Sequence, residues 1–299
     1  MGAQPGETEV AMKCLVVTAD DFGFAEEINE AVEIAHRDGI LSAASLMVSG
    51  PAAKSAVQRA RGMPALGVGL HLVLVDGAPT LPAREIPKLV DRTGRLRSDL
   101  TRLGIDIAMN ASLRRQIREE IFAQFEAFRQ TGLSLDHVNT HKHFHLHPIV
   151  TREIIEAGRH FGMRALRIPY EPKSVLAGVE NIRADAWVSF LRPLADLSRA
   201  RARRDHIRTP DAVFGLRWSG AFSAQRMAAL FRNLPAGLIE IYTHPAIADR
   251  FTGCTLGYRY SDELRALCSL DVLRSLRASG FRVCSYQDAC RVEASFPKN

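Results

Sequence analysis

Short apolar runs alternate with amphipathic stretches about seven times along this chain, and that alternation restricts the fold more than any other feature. Residues 13–18 (KCLVVT) form a valine-rich run that breaks at Ala19-Asp20-Asp21-Phe22-Gly23. A helical period follows, with Ile28, Val32 and Ala35 on one side and Gly39 as its stop. Further strands are expected over 42–48, 67–74, 135–141, 165–168, 237–243 and 281–285. Helices are expected after Pro51 and over 112–130, 148–161, 183–204, 223–233 and 261–279. Such alternation gives parallel strands joined by right-handed crossovers. Strands buried on both faces explain the continuous apolar runs. The expected fold class is therefore α/β, an irregular TIM-like (β/α) barrel. No GxGxxG follows the first strand and no GxxxxGK[ST] occurs, so nucleotide binding by those loops is unsupported.

Residues 75–110, rich in Pro, Gly and Arg, read as a long inserted loop after the third strand. Loops of that length are usually lids or binding loops. Residues 1–11 read as a disordered tail and 12–299 as one domain. No apolar run approaches the roughly 18 residues of a membrane span. The N-terminal MGAQPGETEV has acids where a signal peptide wants bases. Cys14, Cys254, Cys268, Cys284 and Cys290 contain no CxxC pair and read as free thiols of a cytoplasmic protein. The net charge of +6 is spread along the chain and does not indicate nucleic acid. Its densest piece is Arg192, Arg199, Arg201, Arg203, Arg204 and Arg208. That piece is either a solvated helix face or a patch that rests on anionic lipid headgroups.

In a β/α barrel the chemistry sits at the C-terminal ends of the strands. Here the first strand ends in Asp20-Asp21 and the third carries His71. The fourth runs through Asp136, His137 and Asn139 into His141, His143, His145, His147 and Pro148, and 237–243 ends in His244. Adjacent strand residues point to opposite faces, so one aspartate can bind an ion while the other turns toward a water. Like charges this close are expected to raise one of the two pKa values, which suits a general base. The plainer reading is an Asp pair capping the next helix, but three histidine-bearing strand ends favour chemistry.

Alternation puts His141, His143 and His145 on one face if the fourth strand continues. Neighbours at that spacing stand roughly 7 Å apart, too far for all three to share an ion at about 2.1 Å. The alternative pairs His143 with His147 just before the helix. His244 belongs to the mouth or simply bonds a backbone carbonyl. Two histidines and one carboxylate are a common catalytic set for a divalent ion that hydrolyses an amide or ester. No GxSxG elbow appears and no cysteine adjoins a histidine, which disfavours a covalent mechanism.

T-A-D-D-F-G at 18–23, G-L-H-L at 69–72, T-H-K-H-F-H-L-H-P at 140–148 and T-H-P-A at 243–246 occur in this order. Together they resemble the YdjC-like carbohydrate deacetylases. Residues 41–50, 66–87 and 135–148 resemble one branch more closely, the hopanoid-biosynthesis-associated deacetylases. The resemblance implies an irregular β/α barrel that removes an N-acetyl group from an amino sugar. It implies Asp21, His71 and His141 as ligands of one divalent ion, Asp20 as base and His244 as acid. Asn139, His143, His145 and His147 are then substrate-facing or ligand-supporting. The wider family usually has an Asp where this chain has Asn139, and a neutral amide tunes a metal ligand less than a carboxylate does. Donor softness favours Zn²⁺, while the family is also described with Mg²⁺. The branch implies N-acetylglucosamine attached to a hopanoid as substrate, with peripheral contact at the inner membrane. The rival readings are a deacetylase of soluble chitooligosaccharides such as diacetylchitobiose, or a non-enzymatic metal- or sugar-binding regulator. A homodimer is left open, and no nucleic-acid partner is expected.

Overall fold

The computed structural model describes residues 13–180 and 186–294, so the tail expected over 1–11 lies outside the described residues. In chain order the elements are β1 (Lys13–Phe22), α1 (Glu26–Asp38), β2 (Ala43–Leu46), α2 (Ala53–Arg61), β3 (Gly67–Leu72), α3 (Leu100–Met109) and α4 (Ala111–Gln130). Then come β4 (Val138–Thr140), a 3₁₀ turn (His141–Leu146), α5 (Pro148–His160), α6 (Lys173–Ala177), α7 (Ala186–Arg204), β5 (Ala212–Phe214) and α8 (Ala224–Phe231). The chain finishes with β6 (Gly237–Thr243), α9 (Tyr260–Leu267), α10 (Leu270–Ser279), β7 (Arg282–Val283) and α11 (Tyr286–Ala294).

All strand pairs are parallel, in the order β4-β3-β2-β1-β6-β5. The first strand is the hub. One of its edges pairs with β6 from Lys13 to Ala19. Its other edge takes β7 at Cys14 and Leu15, then β2 from Thr18 to Phe22. Beyond β4, isolated parallel bridges join Val138 to Leu166 and Ala165 to Arg208. The Val213 amide then donates to the Tyr170 carbonyl at 2.8 Å and ties this segment to β5. The result is a barrel-like parallel α/β fold, as the alternation predicts.

Alternate residues of each strand divide between helices and barrel interior. Leu15, Val17 and Ala19 join the main core, while Cys14 and Val16 pack with Ala43, Ala165, Leu238, Cys284 and Tyr286. These residues fill the end of the interior where the strands begin. Toward the other end the same faces carry Thr18, Asp20, Ser45, His71, Asn139, Arg167 and Glu240, all buried.

Four expectations need correction. The strand expected over 165–168 exists only as isolated bridges. In its place β5 completes the set, three apolar residues too short to register as a run. The helix expected over 261–279 is two helices, α9 and α10, separated at Cys268-Ser269. The inserted segment 75–110 is not loop throughout, because α3 fills its last third and buries Leu103 and Ile107. Ile86, Leu89 and Leu96 are also buried, spaced too irregularly among Pro and Gly to show as a pattern. The basic stretch is partly internal. Arg199 donates to the Pro210 and Asp211 carbonyls at 3.3 and 3.2 Å, and Arg201 donates to the Pro148 carbonyl at 2.6 Å. Arg192, Arg203 and Arg204 remain exposed. Among the described residues, no helix is long and apolar enough to cross a membrane.

Candidate active site at the mouth of the barrel

Both aspartates reach the barrel mouth because β1 ends irregularly. Its register with β2 shifts between Ala19 and Phe22, and Asp21 takes a left-handed φ of 63°. That conformation is uncommon for a non-glycine residue, and it clusters at functional sites. Pleat alternation would have sent the two carboxyls to opposite faces; the bulge aims both at the mouth.

Asp20 meets Arg167 in a fork. Nη1 donates to Oδ2 at 2.5 Å and Nη2 donates to Oδ1 at 3.0 Å. The same Nη2 donates to Glu240 Oε1 at 2.6 Å. Glu240 also accepts from the Thr18 hydroxyl at 2.7 Å and from the Tyr286 hydroxyl. Arg167 is fully buried and lies over the Tyr242 ring at 4.7 Å. Burial opposes charge on Asp20, but Arg167 and His71 overcome it and hold the carboxyl well below its ordinary range. Burial likewise opposes charge on Asp21, and His141 and His71 hold it below range. The raised carboxyl expected from two like charges is therefore not found. Each aspartate has its own positively charged or imidazole partner, and that attraction outweighs both burial and the neighbouring like charge.

Asp21 Oδ1 lies 3.2 Å from His141 Nδ1 and 3.3 Å from His71 Nε2. Among the described residues, Asp21, His71 and His141 bring their ligand atoms within 4.8 Å of one another. Asp21 Oδ1 and His71 Nε2 are buried without a hydrogen-bond partner. Two such atoms aimed at one point, with a donor set of one carboxylate and two imidazoles, fit a divalent cation. His71 is oriented from behind, since its Nδ1 donates to Asn139 Oδ1 at 2.6 Å. That bond leaves Nε2 to face Asp21, the usual way a ligating histidine is held.

The histidine tract behaves differently from its strand reading. The strand stops at Thr140, and Lys142 and His143 turn left-handed at φ 54° and 53°. The expected common face of His141, His143 and His145 does not form, because the pleat ends before it. His143 Nε2 pairs with the Tyr242 hydroxyl at 3.0 Å, and burial pushes its imidazole well below the ordinary value. His145 Nδ1 pairs with Thr140 Oγ1 at 2.6 Å, and burial pushes it down to about 3. His147 Nδ1 accepts the Ile149 amide at 3.3 Å and caps α5. His143 and His147 thus each have a separate partner.

His244 follows β6. Its amide donates to Glu263 Oε2 at 2.5 Å, while its ring Nδ1 is buried without a partner. Burial lowers its imidazole despite the charges of Asp21 and Asp20. Its ring packs edge-on against Tyr258 and Tyr242 at 5.2 and 5.7 Å.

Sequence reasoning missed Arg167, Glu240, Glu171 and Glu263. The signal was available for the first two. Arg167 interrupts an apolar run, and Glu240 is the one charge inside GLIEIYT. A charge inside a buried strand needs a partner, so the existence of a partner for each was inferable, but not its identity. Glu171 accepts the Gly215 and Arg217 amides at 2.9 and 3.1 Å, and burial pushes its carboxyl up to about 7. Around the polar cluster opens a groove of about 1220 Å³. Leu100, Phe144, Leu146, Leu194 and Leu216 give it an apolar wall, to which α3 contributes Leu100.

Residues 14–278 match the family described as YdjC-like protein. A carbohydrate deacetylase of Mus musculus is 31% identical over 304 residues, covering 92% of this chain and 94% of that protein. A carbohydrate deacetylase of Brevibacillus brevis is 27% identical over 276 residues, covering 92% and 98%. The crystal structure of a candidate cellobiose-phosphate cleavage protein from Enterococcus faecalis V583 superposes with a TM-score of 0.74 at 22% identity. It covers 93% of this chain and 99% of that one, and the likeness is one of fold.

Proposed function

This chain belongs to the YdjC-like family, and on that premise we propose that it is a metal-dependent hydrolase that removes the N-acetyl group from an amino sugar. The observation that carries the reading is the convergence of Asp21, His71 and His141 beside the Asp20–Arg167 fork. Those three residues would hold one divalent ion, and their donor types favour Zn²⁺ over Mg²⁺. Such an ion supplies Lewis-acid polarisation of the acetamide carbonyl, worth several kcal/mol of barrier in general.

The remaining work falls to side chains of this chain. Asp20 orients the attacking water and takes its proton at a carboxylate oxygen. Arg167 keeps Asp20 ionised and fixes both of its oxygens, so the base meets the water in one geometry. His244 gives a proton from Nδ1 to the departing amine nitrogen; burial lowers its imidazole, which makes the ring a stronger acid, and the charges of Asp21 and Asp20 offset that lowering only in part. Acetate and a free amino sugar leave.

The substrate we propose is N-acetylglucosamine attached to a hopanoid. The groove exceeds the roughly 300–1,000 Å³ usual for a small ligand, and its apolar wall suits a lipid-borne aglycone. Soluble diacetylchitobiose is the competing substrate. Acetate release after chelation and after add-back of Zn²⁺ or Mg²⁺ tests the metal. Parallel assays on glycosylated hopanoid and diacetylchitobiose test the acceptor. Full turnover by the metal-stripped protein would overturn the scheme. Bilayer approach is assigned to exposed Arg203 and Arg204, and flotation with anionic vesicles at low salt checks it; no flotation would refute it.

A further inference from the structure

Asn139 stands between Asp20 and His71. Its Nδ2 donates to Asp20 Oδ1 at 3.1 Å and to Ser45 Oγ at 2.8 Å, and its Oδ1 accepts from His71 Nδ1 at 2.6 Å. A flipped amide would set Oδ1 against the Asp20 carboxylate and lose the shorter bond to Ser45 Oγ, so Asp20 and Ser45 together hold one orientation. The chain of contacts continues away from the mouth. Ser45 Oγ lies 2.9 Å from His137 Nε2, and His137 Nδ1 lies 2.9 Å from Asp136 Oδ2. Asp136 also accepts the Gln287 and Tyr286 amides at 2.8 and 3.3 Å, in the first turn of α11. Ser45, His137 and Asn139 are 0% exposed and Asp136 is 2% exposed, so water does not compete for these bonds.

Donor chemistry fixes the direction of every link. A carboxylate only accepts, so His137 donates from Nδ1. Ser45 oxygen already takes the Asn139 amide hydrogen, so its own hydroxyl hydrogen goes to His137 Nε2. Ser45 oxygen accepts from Asn139, and the Asn139 carbonyl accepts from His71 Nδ1. The chain ends at a His71 ring whose Nε2 is left to face Asp21.

The strand that carries His71 also makes room for this arrangement. A Cβ on Gly69 would lie 2.5–2.6 Å from three ring atoms of His137, and one on Gly67 would lie 2.7–2.8 Å from the Asp136 carboxyl. Neither glycine needs a positive φ; each is there for space. Serine, histidine and aspartate in this order also suggest a nucleophile, but Ser45 is buried beneath Asn139 and does not line the groove. Its role is positional.

We propose that Ser45, His137 and Asp136 form a positioning relay that locks the Asn139 amide and, through it, the ring orientation and tautomer of His71. The metal-affinity part of this inference rests on the proposed function; the tautomer part stands without it.

The test uses ¹⁵N-histidine protein free of metal, at alkaline pH where the rings are neutral. Long-range proton–nitrogen spectra of the parent should show His71 protonated at Nδ1 alone. Ser45→Ala should convert it to a tautomer mixture and weaken Zn²⁺ binding by about 10–100-fold. Ser45→Thr, which keeps the hydroxyl, should restore both. Gly69→Ala leaves Ser45 intact but displaces His137, and should reproduce the spectral change. A lower melting temperature in Ser45→Ala and Gly69→Ala, with His71 still a single Nδ1–H tautomer and Zn²⁺ affinity unchanged, would overturn the relay. Should Zn²⁺ fail to bind even the parent protein, the proposed function falls, and the spectra still decide the relay.

Discussion

The segment from His137 to His147 carries five histidines, while β3 carries only His71 and β6 only introduces His244. The rich segment contributes one imidazole, His141, to the metal-like cluster, and the poor strands place one each at the mouth. The difference lies in the backbone. His71 ends a regular strand whose register is fixed on both sides, so its direction is set. Beyond Thr140 two left-handed residues break the pleat, and each histidine finds a different partner. Convergence of side chains comes from where and how each strand ends, regular at His71 and bulged at Asp21, and the abundance of one residue type does not replace it.

Asp21→Ala should break the strand-end side of this comparison most severely. Acetate release should fall by roughly 10³-fold or more, and bound metal, read by elemental analysis, should vanish. Arg167→Met comes next. It leaves Asp20 and Glu240 as buried carboxylates without their cation, a change that costs about 3–5 kcal/mol. Urea midpoints and turnover should drop together. His244→Asn should lower kcat by roughly 10²-fold while Zn²⁺ affinity, measured by calorimetry, stays put.

A pH experiment sharpens the picture at the same strand end. Burial pushes the Glu263 carboxyl beneath His244 up to about 7. Between the ordinary carboxylate value and that point, the folded protein holds a proton that the unfolded chain has released. The stability from this group is therefore full at low pH and falls as pH rises toward 7. Glu263→Gln should flatten that slope by roughly 3 kcal/mol, seen as a smaller difference between urea midpoints at about pH 5 and about pH 8. The smallest effect belongs to the rich segment. His147→Ala should cost about 1 kcal/mol through the lost helix cap and leave metal content unchanged. Metal loss in His147→Ala on the scale of Asp21→Ala would reverse the comparison.

The strand ends were legible because a charged or imidazole side chain after an apolar run is a local signal. Asp20, Asp21, His71 and His244 all stand out in that way, and the structure gathers them around one groove. The partners of those residues were not legible by the same means. Arg167 meets Asp20 across 147 positions and Glu240 across 73, and no local period encodes such a meeting. The bulge at Asp21 escaped for a related reason, since it follows from the pairing of β1 with β2 rather than from β1 itself. In the fold, β5 and the bridges near Leu166 escaped because three apolar residues carry no period.

The placement of β1 has one more consequence. Among the described residues it is the first strand in chain order, yet one whole edge waits for Gly237–Thr243 and part of the other for Arg282 and Val283. A ribosome thus extrudes a ten-residue, valine-rich ribbon with nothing yet available to cover that edge. Until Gly237–Thr243 emerges, that uncovered edge is free to pair with a neighbouring polypeptide, which gives a chaperone reason to hold it.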